Sequence, residues 1–204
     1  MPQVERRFVP ADVVRVAGLV SLVVAVVWRG PVDAMLFALV AGGLLVPRLL
    51  RVPQPLDVAY GVLLIVAAWF GALDVYQAVW WTDLALHLVA TGVVAAVAWF
   101  GLLRRGAVTD PRLPPGPRGV VVVTACVGLA LSVLWEIAEY LGNKHLDPTI
   151  FVEYADTVED MAIGGFGSAL AGLGLSVWAR RTAGPAPTAP GARPTAPTGA
   201  SAPS

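Results

Sequence analysis

Long apolar runs, separated by short polar or Pro- and Gly-containing joints, dominate this chain. Six runs read as membrane-spanning helices, over residues 10–28, 33–50, 56–73, 83–103, 119–141 and 157–179. A helix rises about 1.5 Å per residue and needs about 20 residues to cross roughly 30 Å of hydrocarbon. The last three runs meet that length. The first carries Asp12 and Arg15 in its opening turns, and the second is interrupted by Pro47. The alternative for these two is a short hairpin around Gly30-Pro31, which leaves the parity of the later runs unchanged. The expected fold is therefore all-α, a polytopic transmembrane bundle of about six spans. It occupies residues 1–181, and residues 182–204 form a Pro/Ala/Thr-rich tail expected to be disordered and cytoplasmic. No cleavable signal peptide is evident, so the first run is expected to act as an uncleaved anchor.

The polar positions inside this pattern carry more information than the apolar ones. Six ionisable side chains fall at span ends in three pairs: Asp83 with His87, Glu136 with Glu139, and Asp156 with Asp160. Spacings of three or four residues place each pair on one helix face. The faces continue as small or hydroxyl side chains: Thr91 beyond His87; Thr124, Gly128 and Ser132 before Glu136; Gly164, Ser168 and Gly172 beyond Asp160. Small residues at four-residue spacing let helices approach closely in lipid, so the acids are expected to face the bundle interior. A charge near hydrocarbon costs about 2.5–3.5 kcal/mol on insertion scales, so such residues are rare without a use.

Simpler explanations exist for some of them. Asp83, after Trp81-Thr82, fits an N-cap, and Asp156 with Glu159 fits a capping box. Asp57 reads as a cap for the third span, and Asp33 lies near a helix start. Capping does not explain His87 or Asp160, each one turn deeper. Nor does it explain Glu136 and Glu139, which sit near a helix C-terminus, where the macrodipole disfavours anions. His145, Asp147 and Glu153 are expected to be solvated loop residues. Trp28, Trp69, Trp99 and Trp178 are expected in belt or packing roles, and Tyr76, Trp80 and Trp81 in an outer aromatic belt.

Composition agrees with a membrane protein: 57% hydrophobic and 14% charged residues, with a mean hydropathy of +0.72. An average soluble domain carries about 25% charged residues. The net charge of zero hides an uneven distribution. Of the 14 Lys and Arg residues, all but Arg29 and Lys144 fall on one side of the expected topology, including Arg6, Arg7, Arg112 and Arg193. The positive-inside rule then predicts N-in, C-in, with all three acidic pairs on the extracytoplasmic side. The segment from Asp110-Pro111 to Pro117 reads as a non-helical cytoplasmic connector. The single cysteine, Cys126, excludes an internal disulfide and a Cys-rich metal site.

Five carboxylates and one imidazole at one depth cannot all stay ionised without counter-cations. Protons, a Lys or Arg partner, or a metal ion would resolve the repulsion. Oxygen ligands with one imidazole suit Mg²⁺, Mn²⁺, Ca²⁺ or, with fewer acids, Zn²⁺. Asp83, His87, Glu136 and Asp160 are the expected metal ligands, with Glu139 or Asp156 as a further ligand or general base. A metal at headgroup level would be placed to act on lipid or lipid-linked phosphate. Two other readings stay open: an ion- or proton-coupled carrier using the acids as a relay, and a structural or interaction protein with hydrogen-bonded caps. The expected partner is membrane lipid; nothing indicates nucleic acid, and the oligomeric state is open.

Three motifs in order carry a resemblance: Asp83-x-x-x-His87, then Trp135-Glu136-x-x-Glu139-Tyr140, then Asp156-Thr157-x-x-Asp160-x-x-x-Gly164-x-x-Gly167. Over about residues 55–180 the chain resembles the YjdF-like integral membrane proteins of bacteria, whose motif pattern is similar to that of VanZ-like proteins. That implies a multi-pass protein of the bacterial cell membrane. VanZ-like proteins are associated with glycopeptide resistance, whereas YjdF-like proteins have no settled activity to carry over. The chain departs from the VanZ-like pattern at Glu139, where that pattern has Gln, and at Gly164, where it has Asn.

Overall fold

A computed structural model describes residues 9–110 and 116–182. Of these residues 83% are helical, with no strand among them. The expected tail from residue 183 on, the Pro-rich connector from Pro111 to Pro115, and Arg6, Arg7, Arg112 and Arg193 lie outside the described residues, while Thr182, expected in the tail, ends the last helix.

Helix α1 spans Pro10–Trp28 and α2 Pro31–Gly43, both opening on a proline. Proline suits a first helical turn because its missing N–H has no partner there. Gly30 between them has φ +155°, which admits the reversal. The second apolar run is broken, with α2 ending at Gly43 and a four-residue α3, Val46–Leu49, following. Pro47 lacks the N–H that would continue the ladder, which accounts for the break. Both runs are nevertheless long and apolar enough to cross a membrane. Helix α4 spans Gln54–Ala72 and α5 Val75–Ala78, with Asp74 left-handed between them at φ +55°. The long helices are α6, Trp81–Arg104, α7, Pro117–His145, and α8, Tyr154–Thr182. At 29 residues each, α7 and α8 extend roughly 43 Å and outreach the hydrocarbon at their ends.

Two packing groups result. In the first, α1, α2 and α4 close around Ala25, Phe37, Val40, Leu44, Ala68 and Ala72. Phe37 packs on Trp69 with ring centroids 4.9 Å apart, and the Trp69 indole donates to Ser21 Oγ at 3.0 Å. One end of this group is tied by charge. Arg15 donates to both oxygens of Asp57, at 2.8 and 2.7 Å, to Asp12 at 3.1 Å and to the Leu44 carbonyl at 3.1 Å. Arg48 adds a 2.8 Å contact to Asp12. Asp57 is therefore the partner of Arg15 across α1 and α4, and no side-chain cap closes the start of α4. At the opposite end Arg29 pairs with Asp33 at 2.9 Å and donates to the Ala72 carbonyl.

In the second group α8 lies against both α6 and α7. Buried positions on α7 fall every fourth residue: Val120, Thr124, Gly128, Ser132 and Glu136. On α8 the corresponding stripe is Asp160, Gly164, Ser168, Gly172 and Ser176. Its glycines allow backbone contact. A Cβ on Gly167 would strike the Leu88 carbonyl of α6, one on Gly128 would strike Ser168, and one on Gly172 would lie 2.8 Å from Val121 Cα. Within the stripes Thr124, Ser168 and Ser176 donate to the carbonyls four residues earlier, at 2.6, 2.8 and 2.9 Å. The opposite faces, such as Val13, Val16, Val20, Val23 and Val27 on α1, are exposed and apolar, as a lipid-facing surface requires.

The glycine contacts set a graded stability test. Gly174, on the same helix, has nothing within 4 Å of an added Cβ. Gly167→Ala should cost about 1–3 kcal/mol by forcing α6 and α8 apart, whereas Gly174→Ala should be neutral or stabilising by up to ~1 kcal/mol. Thermal unfolding of both variants in detergent checks this, and equal midpoints would contradict the close-packed interface.

Candidate functional site

The antiparallel order of α6, α7 and α8 brings the start of α6, the far part of α7 and the start of α8 to one end of the bundle. All three acidic pairs therefore meet there. The arginines Arg104, Arg105, Arg118, Arg180 and Arg181 lie at the other end of the same helices.

Asp83 is not an N-cap. Helix α6 begins at Trp81 after Trp80, without a side-chain cap, which puts Asp83 inside the first turn. Thr82 takes a local role instead, its hydroxyl donating to the Val79 carbonyl at 2.7 Å. The Asp83 carboxylate is thus left to face the bundle. Asp156 is not a capping-box residue either, because α8 already begins at Tyr154. Thr157 N–H bonds to the Glu153 carbonyl at 2.9 Å as part of that earlier start. Both expectations placed the helix starts three residues late.

His87 stands at the centre. Its Nε2 lies 3.6 Å from Asp83 Oδ1 and 3.7 Å from Asp160 Oδ2. One ligand atom from each of these three residues falls within 4.8 Å of the others. These separations are too long for hydrogen bonds. They are near the roughly 3.4 Å edge of a tetrahedron around an ion with ligands at ~2.1 Å. His87 and Asp83 are largely buried, and Asp160 almost completely.

Glu136 is 7% exposed and Asp160 2%. Each keeps one oxygen, Glu136 Oε1 and Asp160 Oδ1, buried without a hydrogen-bond partner. Thr157 reaches the Glu136 carboxylate. Asp83 is close enough to interact electrostatically with Glu136, Glu139, Asp156 and Asp160, so the five acids form one cluster. Asp156 also faces His87, and Glu139 also faces Glu136 and Trp135. Of the four expected ligands, the structure groups Asp83, His87 and Asp160 most tightly; Glu136 borders them.

No cation offsets these acids among the described residues. Arg29, at this end, is engaged by Asp33 and the Ala72 carbonyl. Lys144 sits over the Tyr140 ring, 5.8 Å from its centroid. A buried carboxylate without a counter-charge is costly. An ion held there would polarise a phosphoryl oxygen or activate water.

The sequence pattern assigned Tyr76 to an aromatic belt and not to the site. The left-handed Asp74 and the short α5 bring it to the rim, within electrostatic range of Asp83 and Glu139. Its hydroxyl donates to the Ala67 carbonyl at 2.9 Å. Burial, with Asp83 and Glu139 adding to it, pushes the phenol above its ordinary range, so it stays a neutral hydroxyl. A four-residue helix leaves no periodic signal, and the belt reading of Tyr76 was the natural one. In the loop before α8, Asp147 accepts from Thr149 N–H at 2.9 Å and from its hydroxyl at 2.7 Å. Those bonds hold its carboxyl below the usual range, and Asp147 takes no part in the cluster.

No curated protein and no solved structure matches the chain. A family model described as "Predicted membrane protein (DUF2238)", the YjdF-like family, matches residues 13–181 and takes in all six spans and every acid of the cluster. The chain belongs to this family of predicted multi-pass membrane proteins.

Proposed function

We propose that the cluster is a divalent-metal site of a membrane enzyme acting on lipid or lipid-linked phosphate. The observation that carries this is the grouping of Asp83, His87 and Asp160 around a point, in a cluster that no Lys or Arg neutralises among the described residues. Asp83, His87 and Asp160 hold the ion, and Glu136 is the fourth ligand. One imidazole with several carboxylates fits Mn²⁺ or Zn²⁺, and Mg²⁺ where the acids dominate. Glu139 or Asp156, bordering the ion, serves as a further ligand or as the base that takes a proton from attacking water. The concentration of Arg residues at the opposite end supports an N-in, C-in orientation, which puts the site at the extracytoplasmic headgroups of a bacterial cell membrane. The similarity of motif pattern to VanZ-like proteins supports a role at the cell envelope.

Elemental analysis of the detergent-purified protein is the direct test. Near-stoichiometric metal is expected in the parent, with loss in a folded Asp83→Asn/Asp160→Asn double variant. Phosphate release from phospholipid should follow the metal. Absence of metal from the parent after soaking with Mg²⁺, Mn²⁺ and Zn²⁺ would sink the proposal and favour a proton relay or a structural role. Stability gives a second discrimination. In EDTA-treated protein in sodium-free choline chloride, Asp160→Asn should raise the unfolding midpoint by about 2–4 °C, because it removes one of five mutually repelling carboxylates. A purely structural, hydrogen-bonded Asp160 would produce a fall instead.

A further inference from the structure

One turn below the Asp83–His87–Asp160 group lies a layer of hydroxyls that this function does not use. Thr91 follows His87 by four residues on α6, Ser132 precedes Glu136 by four on α7, and Gly164 follows Asp160 by four on α8. The three helices converge there. A Cβ on Gly164 would lie 3.0 Å from Thr91 Oγ1 and 3.2 Å from Ser132 Oγ, so both hydroxyls point at the space the glycine leaves open.

Ser132 behaves unlike its neighbours. Thr124, Ser168 and Ser176 each satisfy their hydroxyl on the carbonyl four residues earlier. Ser132 is 2% exposed and its Oγ has no partner at all. An apolar environment makes a missing hydrogen bond cost about 1–3 kcal/mol, and the local carbonyl bond would remove that cost. Two further orphaned oxygens, Glu136 Oε1 and Asp160 Oδ1, belong to the residues one turn above on the same two stripes. Asp160 is thus divided: Oδ2 faces His87, while Oδ1 is left over.

From these atoms we infer a second, deeper cation subsite formed by Thr91 Oγ1, Ser132 Oγ, Glu136 Oε1 and Asp160 Oδ1, and selective for Na⁺. The donor set is all oxygen, which selects a hard cation and disfavours zinc. The layer sits where glycines bring backbones together, which leaves little space for a hydration shell. Mg²⁺ gives up its waters reluctantly, and the space beside Gly164 is narrow, so a small monovalent ion fits better than Mg²⁺ or the larger K⁺. Two neutral hydroxyls limit the negative charge to that of the shared carboxylates, which also suits a single positive charge. The subsite shares Glu136 and Asp160 with the outer reading above but stands on different atoms.

Thermal unfolding of the EDTA-treated full chain in NaCl, KCl and choline chloride at constant ionic strength tests the inference. NaCl should give a saturable rise of about 3–6 °C over choline chloride, and KCl much less. Ser132→Ala and Thr91→Val should each abolish that difference while keeping the parent's divalent-metal content. Equal midpoints in NaCl and choline chloride, or an equal response to K⁺, would overturn the inference. Where a variant does not fold, ²³Na line broadening by the parent decides. Broadening lost on Asp160→Asn supports the subsite, and its absence from the parent refutes it. A sodium response in a chain that binds no divalent metal would leave the inner subsite standing and remove the outer one.

Discussion

Helices in a bilayer gain no hydrophobic advantage from touching one another, because lipid tails are as apolar as leucine. Association has to come from close van der Waals contact, and in this molecule that contact is made by the glycines of α8 and their counterparts. Gly167 meets the Leu88 carbonyl of α6, Gly172 approaches Val121 of α7, and Gly128 makes room for Ser168. Everything at the acidic end depends on this. With α8 held at backbone distance from both neighbours, Asp160 has no route to lipid or water and must face His87 and Glu136. The same stripe that supplies the packing supplies the acids.

Such burial sets electrostatics against packing. Close approach is favourable along the glycine stripe and unfavourable at its end, where like charges are drawn together. The fold shows how it treats acids it intends to neutralise: at the opposite end Arg15 grips both oxygens of Asp57 and reaches Asp12, and Arg48 joins them. Among the described residues no comparable partner reaches the five acids around His87. Arg29 and Lys144, the basic residues closest in topology, are spent on Asp33 and on the Tyr140 ring. The cluster is thus left without a basic counter-charge among the described residues.

Much of this was legible in the residue pattern. Hydropathy located the spans to within a few residues, and the i,i+4 stripes on α6, α7 and α8 named the inward faces. Convergence of the acidic pairs followed from counting spans, since two crossings, an even number, separate Asp83 from the end of α7 and from Asp156. What could not be read depends on geometry between distant residues. Asp57 looks like a cap because its neighbours in sequence suggest one, while its partner Arg15 lies 42 residues away. Asp83 and Asp156 looked like caps because Trp81 and Tyr154 do not resemble helix starts; the two helices begin there because aromatic residues tolerate the interface. The place of Tyr76 beside the acids was not readable because a single turn carries no period. The choice of three residues from six around His87 requires side-chain distances that no spacing rule supplies.

The depth of the site also constrains what it can do. Asp83 and Asp156 lie in first turns, while His87 and Asp160 lie one turn lower, so the cluster spans about 6 Å along the helix axes. That is the zone where headgroups give way to acyl chains. Below it come the Thr91 and Ser132 hydroxyls and then Ala95, Ala96, Val97, Val120 and Leu175, which are buried and apolar. A through-pathway for ions would need polar groups to continue past them, and the hydroxyls present there, Thr124 and Ser176, are already bonded to their own helices. The cluster therefore lies at one end of the bundle, and the described buried side chains become mostly apolar toward the other.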